Sequence, residues 1–314
     1  TPSRSCRRRS PATSTALPYQ LMAALARRTY NSLPHPMPSS CRLARSSTGQ
    51  LLLGDADGFV PLASVMPGMQ PPKRWTHASA GTFPSINTAS ASRIPAEACS
   101  FGSPLDETGT RWGIGLNYKD HAHDLGETRP VAPASFIKPP TVLVGPGGPI
   151  RLPPPDVTSE VTGEAELAIV IGRTCRDVTP DRANRVVAGL VPVIDMTAVD
   201  ILQQNPRFLT RAKSFDTFLV VGPWIETARS LHDLEDVEVR TVVDGDTVAA
   251  NTIAHMAFSP AELVASLSRS TTLQPGDLIC TGTPGAHRLA PGMTIRAEVD
   301  RVGAVEAPVV ASNE

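Results

Sequence analysis

The sequence predicts an α+β chain, mainly β, with a few short helices, and three observations carry that expectation. Proline is abundant, with 31 among 314 residues, while aromatics make up only 4%; this composition favours a loop-rich, partly β architecture over a helix bundle. The apolar runs are short and punctuated by Gly54-Asp55, Asp57-Gly58 and Asp244-Gly245, which are hairpin signals. Helix starts are few, the clearest being Ser259-Pro260-Ala261-Glu262, a capping box with proline at its first position.

The formal net charge of −1 offers no basic surplus for a nucleic-acid partner, and no apolar run approaches the roughly 20 residues of a membrane span. Five scattered cysteines without a Cys-x-x-Cys suggest neither a disulfide framework nor a zinc site. A reducing compartment, the cytoplasm, fits best. Residues 1–40 set Arg4, Arg7, Arg8, Arg9, Arg27 and Arg28 among Ser, Thr, Pro and Ala, and no acid precedes Asp55. Such a stretch reads as a disordered arm, a misplaced gene start, or a transit peptide that would make the location mitochondrial.

Residues 41–105 read as a small N-terminal β subdomain and linker. Leu51-Leu52-Leu53 and Phe59-Val60-Pro61-Leu62 form its apolar pieces, and an aperiodic, irregular Pro/Ser/Ala-rich linker runs from about residue 71 to 104. Residues 106–314 read as the catalytic domain. Trp112-Gly113-Ile114-Gly115-Leu116-Asn117-Tyr118 is a strand running into a turn, and Lys119-Asp120-His121-Ala122-His123-Asp124 opens a short helix. On such a helix His121 and Asp124 are i and i+3 neighbours, so the carboxylate can fix the imidazole's tautomer and raise its basicity. Two β pieces flank Pro139-Pro140. Thr179-Pro180 predicts a helix N-terminus, with the helix running to about Ala188. Residues 237–243 and 247–250 pair across Asp244-Gly245, residues 276–280 deliver the turn Thr281-Gly282-Thr283-Pro284, and two last strands close the chain.

The chemistry centres on Gly163-Glu164-Ala165-Glu166-Leu167-Ala168-Ile169-Val170-Ile171. On a strand, i and i+2 share a face, so Glu164 and Glu166 project together. Two carboxylates that close need a proton, a Lys/Arg or a cation to neutralise them; the alternative is a half-exposed strand entry with two solvated glutamates. Val191-Pro192-Val193-Ile194-Asp195 supplies a third acid from an apolar context, where an unpaired charge is expensive. Lys213 stands in Arg211-Ala212-Lys213-Ser214-Phe215-Asp216-Thr217-Phe218.

Asn-Tyr-x-Asp-His at 117–121, Glu-x-Glu-Leu at 164–167, Asp-Met-Thr-Ala at 195–198, the run around Lys213 and Thr-Gly-Thr-Pro at 281–284 together resemble the fumarylacetoacetate hydrolase family. That family includes acylpyruvases, 2-oxo acid decarboxylases and 2-hydroxyhepta-2,4-diene-1,7-dioate isomerases, enzymes met in aromatic compound catabolism. The resemblance covers about residues 113–309. It implies a mixed multi-sheet β roll, commonly a homodimer. It places Glu164, Glu166 and Asp195 at the metal-ligand positions, Lys213 at the active-site lysine, and His121 and Asp124 at a catalytic dyad where many relatives carry Glu for Asp124. Asn117, Tyr118, Gly282 and Thr283 fall at substrate-binding positions. Ile194, Val199 and Leu202 stand where relatives often carry Asn, Arg and Gln, which leaves the metal site intact and the substrate open.

Three carboxylates with open positions suit a hard octahedral cation, Mg²⁺ or Mn²⁺, better than zinc. The expected activity is a divalent-metal-dependent hydrolysis of a carbon-carbon bond in an acylpyruvate-like or β-diketo acid through a metal-stabilised enolate. A 2-oxo acid decarboxylase or isomerase on the same site and a non-catalytic homologue are the alternatives.

Overall fold

A computed structural model describes residues 41–88, 91–119, 131–227 and 230–312. The expectations for residues 1–40 and for His121, His123 and Asp124 lie outside the described residues. The described residues open with β1 (Arg42–Arg45), β2 (Leu51–Asp55) and β3 (Gly58–Pro61), then α1 (Leu62–Val65) and α2 (Arg74–Ala80). β4 (Arg111–Gly115), β5 (Ala134–Lys138), β6 (Leu143–Val144) and β7 (Ile150–Arg151) precede two long strands, β8 (Val161–Ile171) and β9 (Val187–Ala198). α3 (Val199–Gln204) and α4 (Leu209–Ala212) lead to β10 (Leu219–Val221), β11 (Trp224–Thr227), β12 (Glu238–Val243) and β13 (Asp246–Thr252). α5 (Pro260–Ser270), β14 (Leu278–Cys280), β15 (Ala286–Arg288), β16 (Thr294–Val299) and β17 (Gly303–Val310) complete it. The result is the expected β-rich, multi-sheet fold with a few short helices.

Among the described residues the strands form two sheets. The larger has twelve strands, with β3-β2-β1-β11-β9-β8-β14-β4-β5 as its main path and β6, β10 and β15 attached; the smaller runs β13-β12-β16-β17-β7. β8 and β9 are the antiparallel centre, and every residue of both is buried. The bland reading of a half-exposed strand entry therefore fails. Gly163 shows which face does what: a side chain there would strike Ile295 Cδ1 at 2.3 Å, so the odd-numbered face of β8 packs on β16 of the second sheet. Glu164 and Glu166 take the opposite face. Thr241 of β12 locks the layers together by accepting the Ala165 N–H at 3.1 Å.

Pro192 sits inside β9, a position that a central strand normally forbids. Its carbonyl accepts from Gly222 N–H at 2.8 Å, so its missing donor faces the junction where β10, paired to 193–195, gives way to β11, paired to 189–190. The break in the neighbouring strand makes the proline tolerable.

The hairpin signals hold. β2 pairs β3 across Asp55 and Gly58, and β12 pairs β13 across Asp244 (φ 51) and Gly245 (φ 94), the two positive φ values of a type I′ turn. The Ser259 capping box opens α5, with both reciprocal bonds made.

Two expectations need correction. Thr179 makes no side-chain cap bond, and residues 180–185 form only 3₁₀ turns before β9 begins at Val187. The β-branched Val186-Val187 and the pairing demand of β8 overrule the local helix signal. The supposedly irregular linker contains α2, closed by Gly81 in the left-handed region (φ 62). α2 is fixed by tertiary contacts: Trp75 is buried, and the fully buried Arg74 shares the carboxylate of Asp106 with Arg45 of β1. β1 itself pairs with β11, and Phe59 packs on Phe101 and Trp224 at 5.2 and 5.9 Å between ring centroids, so the strands of the 41–105 segment extend the principal sheet.

Asp106→Ala should thus leave Arg74 buried without its counter-charge. Urea unfolding should show a loss of about 3 kcal/mol, the low end for a broken buried pair because Asp106 keeps some contact with water.

Candidate metal centre

The strand register brings the three acids together. Glu164 of β8 lies directly opposite Asp195 of β9, and directly opposed residues project from the same face with Cβ atoms about 5 Å apart. Glu166 follows two residues on. One oxygen from each of Glu164, Glu166 and Asp195 lies within 4.8 Å of those from the other two, and all three residues are buried.

Each carboxylate has one oxygen held by a protein donor. Thr197 donates to Glu164 Oε1, the Gly282 N–H donates to Glu166 Oε2 at 2.7 Å, and the Lys138 ammonium donates to Asp195 Oδ1. That leaves Glu164 Oε2, Glu166 Oε1 and Asp195 Oδ2. Lys213 Nζ, with its ammonium 5.5 Å from the Phe136 ring centroid, donates to the first at 2.7 Å and to the last at 3.0 Å.

The charges sort themselves accordingly. Burial would raise the Asp195 carboxyl, but Lys138 and Lys213 outweigh it and hold Asp195 below its ordinary value. Glu166 goes the other way, pushed well up by burial and by the Asp195 charge, against the opposing Lys213 and Gly282 N–H. Burial acts against the Lys213 ammonium, yet Asp195, Glu164 and Glu166 raise it above its ordinary value. Burial and the charges of Glu166 and Asp195 push the Cys280 thiol well up.

The turn expected at 281–284 does break the ladder over the site. β14 pairs β8 at residues 168–170 and β15 pairs it at 162–164, and the chain between them turns at Gly282, whose φ of +95 and 2.9 Å approach to Asn117 Cβ exclude a side chain. Asn117 secures this turn: its amide donates to Thr281 O at 2.7 Å and Phe258 O at 3.0 Å and accepts from Phe258 N–H at 2.9 Å. Its side chain is thereby committed to backbone. The Thr283 hydroxyl donates to Gly285 O at 2.8 Å within the turn. Tyr118 is fully buried, its hydroxyl without a hydrogen-bond partner among the described residues, and burial together with the Glu166 charge raises its pKa. Ile194 is buried in β9, while Val199 and Leu202 are half-buried on α3.

Lys138 escaped the sequence reading. β5 alternates Phe136 and Lys138 inward with Ile137 out, so that Ile137 is 47% exposed while Lys138 is 1% exposed. The signal was the i, i+2 relation of Lys138 to Phe136, and the adjacent isoleucine hid it.

The donor set is three carboxylates, one oxygen of each held by Thr197, Gly282 or Lys138 and two of the other three shared by Lys213, with no imidazole or thiolate among the described residues of the cluster. It fits a hard divalent cation. A cation held there would supply charge to polarise the oxygens of a bound acid.

The β-rich fold carries a buried acid triad with the donor set of a cation site, and residues 110–310 match the family described as fumarylacetoacetate (FAA) hydrolase, C-terminal. The chain belongs to that family. Among its relatives, Protein Rv2993c of Mycobacterium tuberculosis is 41% identical over 198 residues, 63% of this chain and 74% of that protein. The 4-hydroxyphenylacetate degradation bifunctional isomerase/decarboxylase of Salmonella dublin is 38% identical over 65% of this chain and 47% of its own length. The solved maleylpyruvate hydrolase of Sphingobium sp. SYK-6, in complex with manganese(II) and pyruvate, superposes with a TM-score of 0.71 at 32% identity, covering 86% of this chain and 99% of that one.

Replacing Asp195 by Asn keeps its shape and removes its charge. Titration calorimetry with Mn²⁺ should detect binding to the unmodified protein and none to Asp195→Asn, with circular dichroism reporting that the variant is folded.

Proposed function

We propose that the protein is a divalent-metal-dependent hydrolase that cleaves a carbon-carbon bond in an acylpyruvate-like or β-diketo acid. The observation that carries this reading is the convergence of Glu164, Glu166 and Asp195 beside the Lys213 ammonium in a buried site. Glu164, Glu166 and Asp195 would hold Mg²⁺ or Mn²⁺, which supplies positive charge to the carboxylate and keto oxygens of a 2-oxo acid.

The protein's own groups do the rest. Lys213 supplies an ammonium where negative charge develops on the substrate's keto oxygen as the carbon-carbon bond breaks. Lys138 keeps Asp195 ionised, and the Asn117-clamped turn keeps the Gly282 N–H on Glu166, so both carboxylates are oriented before substrate arrives. In this proposal His121, its tautomer set by Asp124, removes a proton from water for attack on the distal carbonyl. Val199 and Leu202, apolar where relatives often carry Arg and Gln, favour a substrate whose far end is less acidic.

A decarboxylase or isomerase acting on a 2-oxo acid is the second reading, supported by the isomerase/decarboxylase relative. It needs the cation and Lys213 but no base beside water. The two readings part at His121. With a panel of β-diketo and 2-oxo acids and added Mg²⁺ or Mn²⁺, His121→Ala should lower hydrolysis by roughly 10² to 10⁴ fold with metal affinity unchanged, and Lys213→Ala should impair every activity. His123→Ala is the control, because residues two apart on a helix face different ways. If His123→Ala is damaging and His121→Ala silent, the base has been misassigned.

A further inference from the structure

We infer that Lys213 is a built-in competitor of the metal: its ammonium and a divalent cation claim the same carboxylate oxygens, so loading the metal displaces Lys213 and frees it to meet the substrate. This rests on the metal reading of the site given above. The three acids have six oxygens. Thr197, Gly282 and Lys138 take Glu164 Oε1, Glu166 Oε2 and Asp195 Oδ1, which leaves one per residue. Lys213 Nζ sits on two of those three, at 2.7 Å from Glu164 Oε2 and 3.0 Å from Asp195 Oδ2.

Magnesium binds oxygen at about 2.0–2.1 Å. A dication on both of these oxygens and an ammonium within 3.0 Å of both would lie within about 4 Å of each other in a buried site where repulsion is poorly screened. The ammonium is the group that can yield, because it ends a flexible four-carbon stem, whereas Lys138 is wholly buried and also donates to Phe218 O at 2.7 Å. The two lysines thus have different tasks. Lys138 is a fixed counter-charge that holds Asp195 to a single free oxygen. Lys213 neutralises the pair Glu164–Asp195 until a dication replaces it, and the displaced ammonium is then released to meet the substrate's developing anion. Loading and readiness for catalysis are coupled through one side chain.

The competition has a consequence for affinity that runs against intuition, since removing a catalytic group should tighten metal binding. Titration of the full-length protein with Mn²⁺ alone should show Lys213→Met binding ~10-fold or more tightly than the unmodified protein, and Lys213→Arg, which keeps the charge, binding no more tightly. Equal or weaker binding by Lys213→Met, beside measurable binding by the unmodified protein, overturns the proposal and leaves the metal site standing. Absence of binding to the unmodified protein removes the metal reading itself and this inference with it. Should Lys213→Met fail to fold, crystals of the unmodified protein with and without Mn²⁺ decide the matter. Withdrawal of Nζ beyond 3.5 Å from Glu164 Oε2 or Asp195 Oδ2 on loading is the expected result, and retention of both contacts beside the bound ion overturns it.

Discussion

Three buried carboxylates on one face of a sheet are the constraint around which the molecule is arranged. Glu164 and Asp195 face each other across the central strand pair, with Glu166 two residues further on, and a charge taken out of water costs several kcal/mol unless it is paired and hydrogen-bonded. The fold meets that demand from four directions: Lys138 from β5, Lys213 from the end of α4, Thr197 from β9 and the Gly282 N–H from the turn after β14. Each comes from a separate stretch of sequence. The site is therefore a product of the completed sheet and cannot exist in any fragment of it.

The same arrangement divides structural from chemical labour along β8. Its odd-numbered residues, small at Gly163 and Ala165, bring the second sheet close through Ile295 and Thr241, and its even-numbered residues carry the acids. Rigidity on one face gives precision on the other, since a carboxylate set must be held to within fractions of an ångström to suit a small hard cation. Asn117 extends that logic to the turn. By binding three backbone groups it holds the turn that carries the N–H on Glu166. The chain beyond Tyr118 leads on to His121, so the clamp also marks where the sheet hands over to the segment bearing the proposed base.

Within this family the named activities differ, since relatives bear the names of a hydrolase and of an isomerase/decarboxylase. The physical reason is that an enolate stabilised next to a carbonyl can be formed in several ways, by removal of a proton, by loss of carbon dioxide or by hydrolytic cleavage of the neighbouring bond, and is quenched in each case by a proton on carbon.

The sequence by itself determined whatever depends on nearest neighbours along the chain. The i, i+2 spacing put Glu164 and Glu166 on one face, Asp244-Gly245 made its hairpin, and Ser259-Pro260-Ala261-Glu262 capped its helix, because each of these is decided by local backbone geometry. Local signals failed where distant strands competed with them: Thr179-Pro180 yielded 3₁₀ turns because β9 has to begin at Val187 to pair with β8, and the linker gained α2 because Asp106, some thirty residues on, neutralises Arg74. Only the tertiary structure decided that Asp195 stands opposite Glu164, that Lys138 points inward while Ile137 faces solvent, and that Lys213 rests on two acids at once. Those are questions of strand register and of which face is buried. A one-residue slip in pairing would turn the acids to the opposite face, and the register that prevents it is settled between strands, by what each must bury against its neighbours.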